Sequence, residues 1–280
     1  MSCDLHTHTN HSDGSSTPKE LVSLASKLNL TIALTDHNTV SGLPEFLAEA
    51  KRLGVTAISG TELSTVYGGK EFHLLGLFID TDRFPEVEAL CREYHILKEE
   101  SNINLVDRLR KAGYIIDYNA MKARNAKGNV NRAHIAAELI KAGYVSTISE
   151  AFDTLLDEKC GLYIPPRRME LTDAIVFLRR IGALPILAHP LKDIDDVQLR
   201  KILPELIEAG LLGMETMHSS YSDEKNAISK EIARDFSLLE SGGSDYHGSI
   251  KPGVNLGIGK GNLDIPDSIY LSLLECKNNL

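Results

Sequence analysis

The amino-acid sequence predicts an α/β protein, a barrel of strands surrounded by helices, with one helical insertion. Three observations carry this prediction. Short apolar strands alternate with amphipathic helices on both sides of a stretch, 82–165, that is helical throughout, and polar residues follow the strands where they end. Alternating strands and helices typically form a parallel sheet, and residues that follow its strands collect at one edge.

The elements before the insertion are marked by caps and turns. Thr17-Pro18-Lys19-Glu20 has the form of a capping box with proline at the first helical position, and a second helix should end at Gly54. Tyr67-Gly68-Gly69-Lys70 indicates a hairpin turn. Apolar, β-rich runs predict strands at 3–7, 31–35, 55–59 and 71–79.

The helical insertion begins after the turn Thr81-Asp82 and ends at Pro165-Pro166, which leaves 1–81 and 166–280 for the barrel. Within it we expect helices at 84–111, 132–142 and 149–156. The alternation then resumes, with strands expected at 184–188, 211–217 and 237–239. Thr172 is expected to cap a helix that runs through Ile175, Leu178 and Ile181 before the first of these strands. Further helices are predicted at 197–209, 222–236 and 266–276.

Composition limits the function. The 280 residues carry a formal net charge of −9, which argues against general binding to duplex DNA or to an acidic membrane surface. The four cysteines have no CxxC spacing, so neither a zinc ribbon nor a disulfide framework is indicated. The first strand begins near residue three and no run of ~18 apolar residues follows, so we expect a cytoplasmic protein without signal peptide or membrane span.

The first strand carries a candidate metal-binding pair. His6 and His8 are two residues apart, so both imidazoles leave the same face of an extended chain. Asp13 follows in a Ser-Asp-Gly turn that can bring a carboxylate back toward them. Imidazole with carboxylate suits a divalent Mn, Fe or Zn ion. Taken alone, the segment could equally be a histidine-rich solvated loop.

Further imidazoles and carboxylates follow the other predicted strands. They are His37, Glu62, His73, His189, His218, Asp245 and His247. A single buried histidine is more often a hydrogen-bonded core residue than a ligand. Here seven of the ten histidines are expected at the carboxyl edge of the barrel, and this concentration predicts a metal cluster.

The order of these motifs resembles that of the polymerase and histidinol phosphatase (PHP) superfamily of metal-dependent phosphoesterases. The matching motifs are HxH at His6 and His8, Ser-Asp-Gly at Asp13, Thr-Asp-His at Asp36 and His37, Gly-Thr-Glu at Glu62, the following His73, His-Pro at His189, and Ser-Asp-Xaa-His at Asp245 and His247. They span nearly the whole chain. The resemblance implies a distorted (β/α)7 barrel with three divalent metal ions.

The resemblance also implies roles for individual residues, with Glu62 bridging two ions. One ion would take His6, His8, Glu62 and Asp245, a second Glu62, His73 and His189, and a third Asp13, His37 and His247. Asp36 could orient His37 or a neighbouring imidazole, or could be an ordinary turn residue. Similar proteins have a histidine six residues after Glu215; Tyr221 stands there, and His218 is the candidate leaving-group acid.

The insertion resembles that of stand-alone phosphoesterases that include nucleoside 3′,5′-bisphosphate phosphatases and small 5′-to-3′ exoribonucleases. Asn131 to Ala136 resembles their substrate-contacting segment, with Ala133 in place of the usual proline. Arg132 and His134 are therefore expected to hold a second phosphate, assisted by Arg167 or Arg168. The basic residues between 119 and 145, against one acid, Glu138, are Lys122, Arg124, Lys127, Arg132 and Lys141.

The sequence thus predicts hydrolysis of phosphate monoesters of small nucleotides, or of short RNA from its 5′ end. A histidinol-phosphate phosphatase is the alternative enzyme, although it would not need a basic insertion. The alternative outside enzymes is a non-catalytic PHP module that binds a partner. Such modules often lose ligands, whereas all nine ligand positions are filled here. Nothing in the sequence names a protein partner.

Overall fold

The computed structural model describes residues 2–124 and 130–280. These divide into two compact units, one formed by residues up to 88 together with 169–280, the other by 89–168. The second unit covers most of the predicted insertion and extends three residues beyond it, whereas the start of the long helix and the turn before it group with the first unit. The assignment of 82–165 as a separate domain stays a prediction, and Lys127 lies outside the described residues.

One sheet organises the first unit. In the described part of the chain its strands are β1 (Ser2–Asp4), β2 (Leu30–Leu34), β3 (Ala57–Tyr67), β4 (Lys70–Leu77), β5 (Met169–Glu170), β6 (Leu184–Ala188), β7 (Gly213–His218) and β8 (Leu239–Gly243). Seven of them form a path in the order β1, β2, β3, β4, β6, β7, β8, and the short β5 pairs with β3. The path matches the seven-stranded barrel that the sequence motifs implied.

The two ends of this path meet, so the sheet curves into a nearly closed barrel. Leu5 donates its backbone N–H to Gly242, and Asp245 donates to the carbonyl of His6. A side chain at Gly243 would place its Cβ 2.2 Å from the Cβ of His6. Only glycine therefore allows β8 to lie this close to the segment that carries the HxH motif.

The buried side chain of Asp4 stabilises the junction between β1 and β8. Its carboxylate is fully buried and accepts the backbone N–H groups of Ser244 and Gly257, each at 2.8 Å. Burial raises the pKa of this carboxyl above its ordinary value, although the hydrogen bonds from Ser244 and Gly257 oppose the shift. Asp4 is thus a structural acid that joins the first strand to the loops following β8.

The prediction of an all-parallel sheet is wrong at one strand. β4 runs antiparallel to both β3 and β6, because the predicted hairpin at Tyr67 to Lys70 reverses the chain. The pairs β1–β2, β2–β3, β6–β7 and β7–β8 are parallel. The amino end of β4 consequently lies at the same barrel edge as the carboxyl ends of the parallel strands. His73 reaches that edge from the first half of its strand, opposite Ser64 and Ala188.

The described helices are α1 (Pro18–Leu28), α2 (Leu43–Leu53), α3 (Phe84–Lys111), α4 (Tyr118–Arg124), α5 (Arg132–Lys141), α6 (Ile148–Ala151), α7 (Leu171–Arg180), α8 (Asp196–Glu208), α9 (Asp223–Asp235) and α10 (Asp267–Asn278). The capping box of α1 is confirmed, since Glu20 donates its N–H to Thr17 Oγ1 and accepts the N–H of Thr17. Thr172 does not cap α7, which begins one residue earlier after Glu170. Among the described helices, none is both long and apolar enough to cross a membrane.

Each unit has apolar packing of its own. The barrel interior includes Leu5, Ile58, Leu75 and Ile186, all buried. The second unit packs around residues of α3, α5 and the turns after α6, including Leu105, Leu109, Ile135, Leu139 and Leu156. The helix predicted over 149–156 is present as α6 followed directly by a wider π-helical turn at Phe152–Leu156.

Candidate metal centre

The barrel edge gathers every ligand that the sequence motifs indicated. The residues that converge there are His6, His8, Asp13, His37, Glu62, His73, His189, His218, Asp245 and His247. They come from β1 and the turn after it, from β3 and β4, and from the ends of β2, β6, β7 and β8. Most are buried, whereas Asp13, His37 and His73 are partly exposed.

Glu62 lies at the middle of the cluster. Its Oε1 is 2.8 Å from His73 Nδ1 and 3.2 Å from His189 Nε2. Its Oε2 lies within 3.1 to 3.2 Å of one ring nitrogen of each of three further histidines, His6, His8 and His37. One buried carboxylate thus touches five imidazoles, which is the arrangement a bridging ligand requires.

The remaining carboxylates lie on either side of Glu62. Asp13 Oδ1 is 3.2 Å from His247 Nε2, and Asp13 Oδ2 is 3.8 Å from His37 Nε2. Asp245 Oδ1 is 3.4 Å from His8 Nε2 and 3.3 Å from His247 Nδ1. Acidic and imidazole ligands therefore alternate across the whole cluster.

The ligand atoms fall into overlapping groups, in each of which all atoms lie within 4.8 Å of one another. The described groups are His8 with Asp13, His37 and His247; His6 with His8 and Asp245; His37 with Glu62 and His73; and His6 with His189 and Glu215. The first contains the implied third set together with His8. The group of His37, Glu62 and His73 differs from the ligand set implied for the second ion, which has His189 in place of His37. The division of the residues among individual ions therefore stays a prediction.

Unpartnered atoms test whether metal ions fit here. The buried side-chain atoms of the cluster without a hydrogen bond to another described residue are His6 Nε2, both ring nitrogens of His8, His37 Nδ1, Glu62 Oε2, His189 Nδ1 and His218 Nε2. Several lie close to one another, but their directions do not suit hydrogen bonds. Buried polar atoms without partners are costly, and cations would satisfy the lone pairs of the atoms that face Glu62 Oε2, which are His6 Nε2, His8 Nε2 and His37 Nδ1.

Protonation favours the same interpretation. Burial alone would raise the pKa of Glu62, but the histidines around it, His37 first, hold that pKa well below its usual range. Burial has the opposite effect on an imidazole, and it lowers the pKa of His37 to about 3. Against the effect of burial, Glu62 raises the pKa of His73 to about 10, so a metal ion at this ring must displace a proton.

Two ligand residues have strained backbones. His189 has a φ of 32° and Asp245 a φ of 56°, both in the left-handed region that side chains with a Cβ rarely adopt. His189 directly follows β6 and Asp245 is the second residue after β8, and at both positions this conformation turns the side chain into the cluster. Strain of this kind persists where the surroundings enforce it, and it is concentrated at functional sites.

Asp36 holds the turn that carries Asp13. Its Oδ1 accepts the N–H of Thr9 at 2.7 Å and the hydroxyl of Ser12 at 2.6 Å, and its Oδ2 accepts the hydroxyl of Thr9. These three hydrogen bonds do not involve an imidazole. A further role of Asp36 in orienting His37 or a neighbouring imidazole stays a prediction.

His218 joins the cluster as expected for a candidate acid. Its Nδ1 lies 2.8 Å from the hydroxyl oxygen of Ser220 and 3.1 Å from the backbone nitrogen of the same residue. Nε2 lies 3.6 Å from Asp245 Oδ2. Tyr221, at the position where similar proteins have histidine, accepts the N–H of Leu191 through its hydroxyl and packs edge-on against His218.

Glu215 contacts the cluster, although the sequence reasoning used it only as a reference point. Its Oε1 is 2.9 Å from His6 Nδ1, and its Oε2 accepts the N–H of His189 at 2.7 Å. Burial would raise its pKa, but His6 holds that pKa below its ordinary value. A carboxylate between Met214 and Met217 in a predicted strand was the signal that could have indicated this role.

The predicted substrate residues belong to the second unit. Arg132 donates to the carbonyl of Leu156 at 3.0 Å, and its guanidinium lies 4.2 Å from the ring centre of Tyr163. His134 Nδ1 accepts the N–H of Asn131 at the start of α5. Arg167 is exposed. Arg132 and His134 thus support their own unit locally, in addition to any contact with a substrate.

Other basic residues of this unit are paired with acids. Lys122 forms an ion pair with Glu99, and Arg124 Nη2 lies 2.6 Å from Glu138. The charge excess counted between 119 and 145 is therefore smaller in the folded unit, because Glu99 lies outside that count.

Comparison with known proteins decides the family. The family model for the PHP domain matches residues 4–158, more than half of the chain. The chain belongs to the PHP domain family. A 5′-3′ exoribonuclease of Haemophilus influenzae is 33% identical over 268 residues, covering 95% of this chain and 96% of the relative. The chain is therefore similar to this relative over nearly its whole length.

Two further relatives have other activities in their names. A phosphoribosyl 1,2-cyclic phosphate 1,2-diphosphodiesterase of Eggerthella lenta is 32% identical, covering 88% of this chain and 94% of the relative. A 3′,5′-nucleoside bisphosphate phosphatase of Chromobacterium violaceum is 28% identical, covering 91% and 90%. All three relatives cleave phosphate esters, as their names state.

A solved structure supports the same class. The structure of a Bifidobacterium adolescentis protein assigned as a metal-dependent phosphoesterase has a TM-score of 0.75 and 28% identity, covering 98% of this chain and 96% of that one. The PHP chain described here is a metal-dependent phosphoesterase, a hydrolase of phosphoric esters. Its substrate is the question that the fold leaves open.

Proposed function

We propose that this phosphoesterase hydrolyses phosphate monoesters of small nucleotides, such as nucleoside 3′,5′-bisphosphates, or shortens oligoribonucleotides from the 5′ end. The observation that carries the proposal is the carboxylate of Glu62 in contact with five imidazoles, flanked by Asp13 and Asp245. The names of the Haemophilus and Chromobacterium relatives support the nucleotide substrate class.

The proposed centre holds three divalent ions of Mn, Fe or Zn. Their ligands would be His6, His8, Asp13, His37, Glu62, His73, His189, Asp245 and His247. Bound ions supply a water whose pKa falls from about 16 to about 7 and neutralise phosphoryl oxygens. Affinity alone does not select among the three metals.

The chain's own residues perform the remaining tasks. His218, whose Nε2 lies at the cluster, is the proposed donor to the leaving oxygen; it would act as the imidazolium and return to the neutral ring once Nε2 has given up its proton. Asp36 keeps the Asp13 turn in place through Thr9 and Ser12. Arg132, His134 and Arg167 are proposed to bind a second phosphate of the substrate, since a guanidinium pairs well with phosphate oxygens.

A substrate panel tests the proposal. With Mn²⁺ present, kcat/KM is measured for a nucleoside 3′,5′-bisphosphate, a nucleoside monophosphate, a 5′-phosphorylated short RNA, a cyclic ribose 1,2-phosphate, histidinol phosphate and an aryl phosphate. We expect the bisphosphate or the RNA to be turned over best, because a second phosphate contributes binding energy. The cyclic phosphate is included because the Eggerthella relative is similar over most of its length.

The Arg132→Ala variant locates the selectivity. Losing a charge-assisted contact of ~2 to 3 kcal/mol should cost roughly 30- to 150-fold in kcat/KM on the bisphosphate, and much less on the aryl phosphate. Because Arg132 also stacks on Tyr163, Arg132→Lys is measured beside it to keep the charge, and Arg124→Ala serves as the matched arginine control.

Three outcomes contradict the proposal. Preference for histidinol phosphate would make the chain a histidinol-phosphate phosphatase. Preference for the cyclic phosphate would make it a phosphodiesterase. No turnover of any ester with the metals bound would favour a PHP module that binds a partner.

A further inference from the structure

The carboxylate of Glu215 contacts two residues of the metal centre without belonging to its nine proposed ligands. Glu215 lies on β7 and is fully buried. One oxygen is 2.9 Å from Nδ1 of His6, which follows β1. The other accepts the backbone N–H of His189, which follows β6, at 2.7 Å. One side chain thus connects ligand residues from two other strands.

The contact with His6 determines which ring nitrogen is available. A carboxylate oxygen accepts a hydrogen bond, so the proton of the His6 ring lies on Nδ1. Nε2 then keeps its lone pair, 3.1 Å from Glu62 Oε2 and 3.9 Å from Asp245 Oδ1. An imidazole binds a metal ion only through a nitrogen without a proton, so this tautomer presents His6 to the cluster.

The contact with His189 acts on the backbone. His189 has a φ of 32°, which a residue with a Cβ rarely adopts, and its N–H bond to Glu215 holds this conformation. In that conformation its Nε2 lies 3.2 Å from Glu62 Oε1. Without the acceptor, the buried N–H of His189 would lose its partner, and the chain could relax to a more ordinary φ.

We propose that Glu215 is a positioning residue, which fixes the tautomer of His6 and the backbone of His189 so that both present Nε2 to the metal ions. The inference rests on the metal centre of the proposed function. Direct ligation by Glu215 is the competing role, since His6, His189 and Glu215 form one of the groups of ligand atoms. Both of its oxygens already have partners within hydrogen-bond distance, which favours positioning.

The test is metal binding by Glu215→Gln. An amide oxygen can accept from one of the two partners, and the amide NH₂ then faces an N–H of the other. We expect Mn²⁺ affinity, measured by competition with a chelating dye, to fall ~10- to 100-fold, with the same number of ions bound at saturation. We expect ¹⁵N NMR of the metal-free protein to show His6 partly in the other tautomer.

Glu240→Gln is the matched control. Glu240 lies on the neighbouring strand β8, where its carboxylate accepts the hydroxyl of Thr216 at 2.8 Å. It should leave Mn²⁺ affinity and the His6 spectrum unchanged. If Glu215→Gln does not fold, Glu215→Asp is measured instead; it keeps the charge but withdraws the carboxylate, and should weaken Mn²⁺ binding in the same way.

The outcomes separate the roles. Wild-type Mn²⁺ affinity in the variant, with only a lower melting temperature, would make Glu215 merely structural. Loss of one whole ion with the others bound normally would make it a ligand. A wild-type protein that binds Mn²⁺ but turns over no ester would refute the proposed function and leave this inference standing, whereas wild type without ions would refute both.

Discussion

The ligand residues at the barrel edge and the basic residues of the 89–168 unit differ in how their polar atoms are satisfied. At the edge, ring nitrogens of His6 and His8 and an oxygen of Glu62 are buried without hydrogen-bonded partners among the described residues. In the other unit, Arg132 and Arg124 have protein partners in Leu156, Tyr163 and Glu138. The atoms at the barrel edge therefore need a bound cation to be satisfied, whereas the arginines of the other unit already stabilise the folded chain through their protein partners.

Because of this difference, the class of reaction and the substrate preference have to be inferred from different kinds of evidence. A buried cluster of unpartnered atoms is unfavourable in the folded protein unless something binds there, so its purpose can be inferred from one structure. A paired surface arginine is stable with or without a substrate, and its role needs a kinetic measurement. The class of reaction therefore follows from the fold and the site, and the substrate does not.

The largest loss of bound metal and activity is expected for Glu62→Gln, which tests the role of the barrel edge in this comparison. Because Glu62 contacts five imidazoles, we expect the variant to lose most of its bound metal and more than the ~10- to 100-fold of activity that changes outside the ligand shell typically cost. His73→Asn, which removes one imidazole at the partly exposed side, should lose less metal. Elemental analysis and kcat/KM on one phosphate ester measure both. Equal metal content in wild type and Glu62→Gln would contradict the bridging role.

Removal of the metals should have the next largest effect. Chelation removes the cations that would lie between the imidazoles and the carboxylates of Asp13, Glu62 and Asp245, and their binding energy to the folded state is lost. An ion present at 100 times its Kd contributes about 2.7 kcal/mol, so we expect EDTA to lower the melting temperature by on the order of 5 to 10 °C. A melting curve that does not move after confirmed metal loss would show that the cluster is stable by itself.

The sequence predicted the barrel and the imidazoles and carboxylates that gather at its edge, because both depend on local patterns. Strand ends followed by His37, His189 or Asp245, and the capping box at Thr17, are readable from neighbouring residues alone. The direction of β4 was missed although its hairpin was predicted, because pairing on both sides of a strand is a tertiary property. The early start of α7 before Thr172 falls within the usual uncertainty of helix ends.

The partners of buried acids could not be predicted in the same way. Asp36, Glu215 and Asp4 each hold a part of the chain far away in sequence, and no local spacing indicates which part. A buried carboxylate needs several donors, and only the folded chain shows where they come from. The left-handed backbone of His189 belongs to the same class, since its N–H partner comes from another strand.

The smallest effect is expected for Arg124→Ala, which tests the second half of the comparison. Arg124 is half exposed and pairs with Glu138 between α4 and α5. Exposed ion pairs contribute about 0.2 to 1 kcal/mol, so the free energy of unfolding should fall by no more than that amount. If selectivity rests on Arg132, kcat/KM on the bisphosphate should stay within about twofold of wild type. A loss as large as that of Arg132→Ala would instead assign substrate binding to the general positive charge of this unit, and would remove the distinction between paired and substrate-binding arginines.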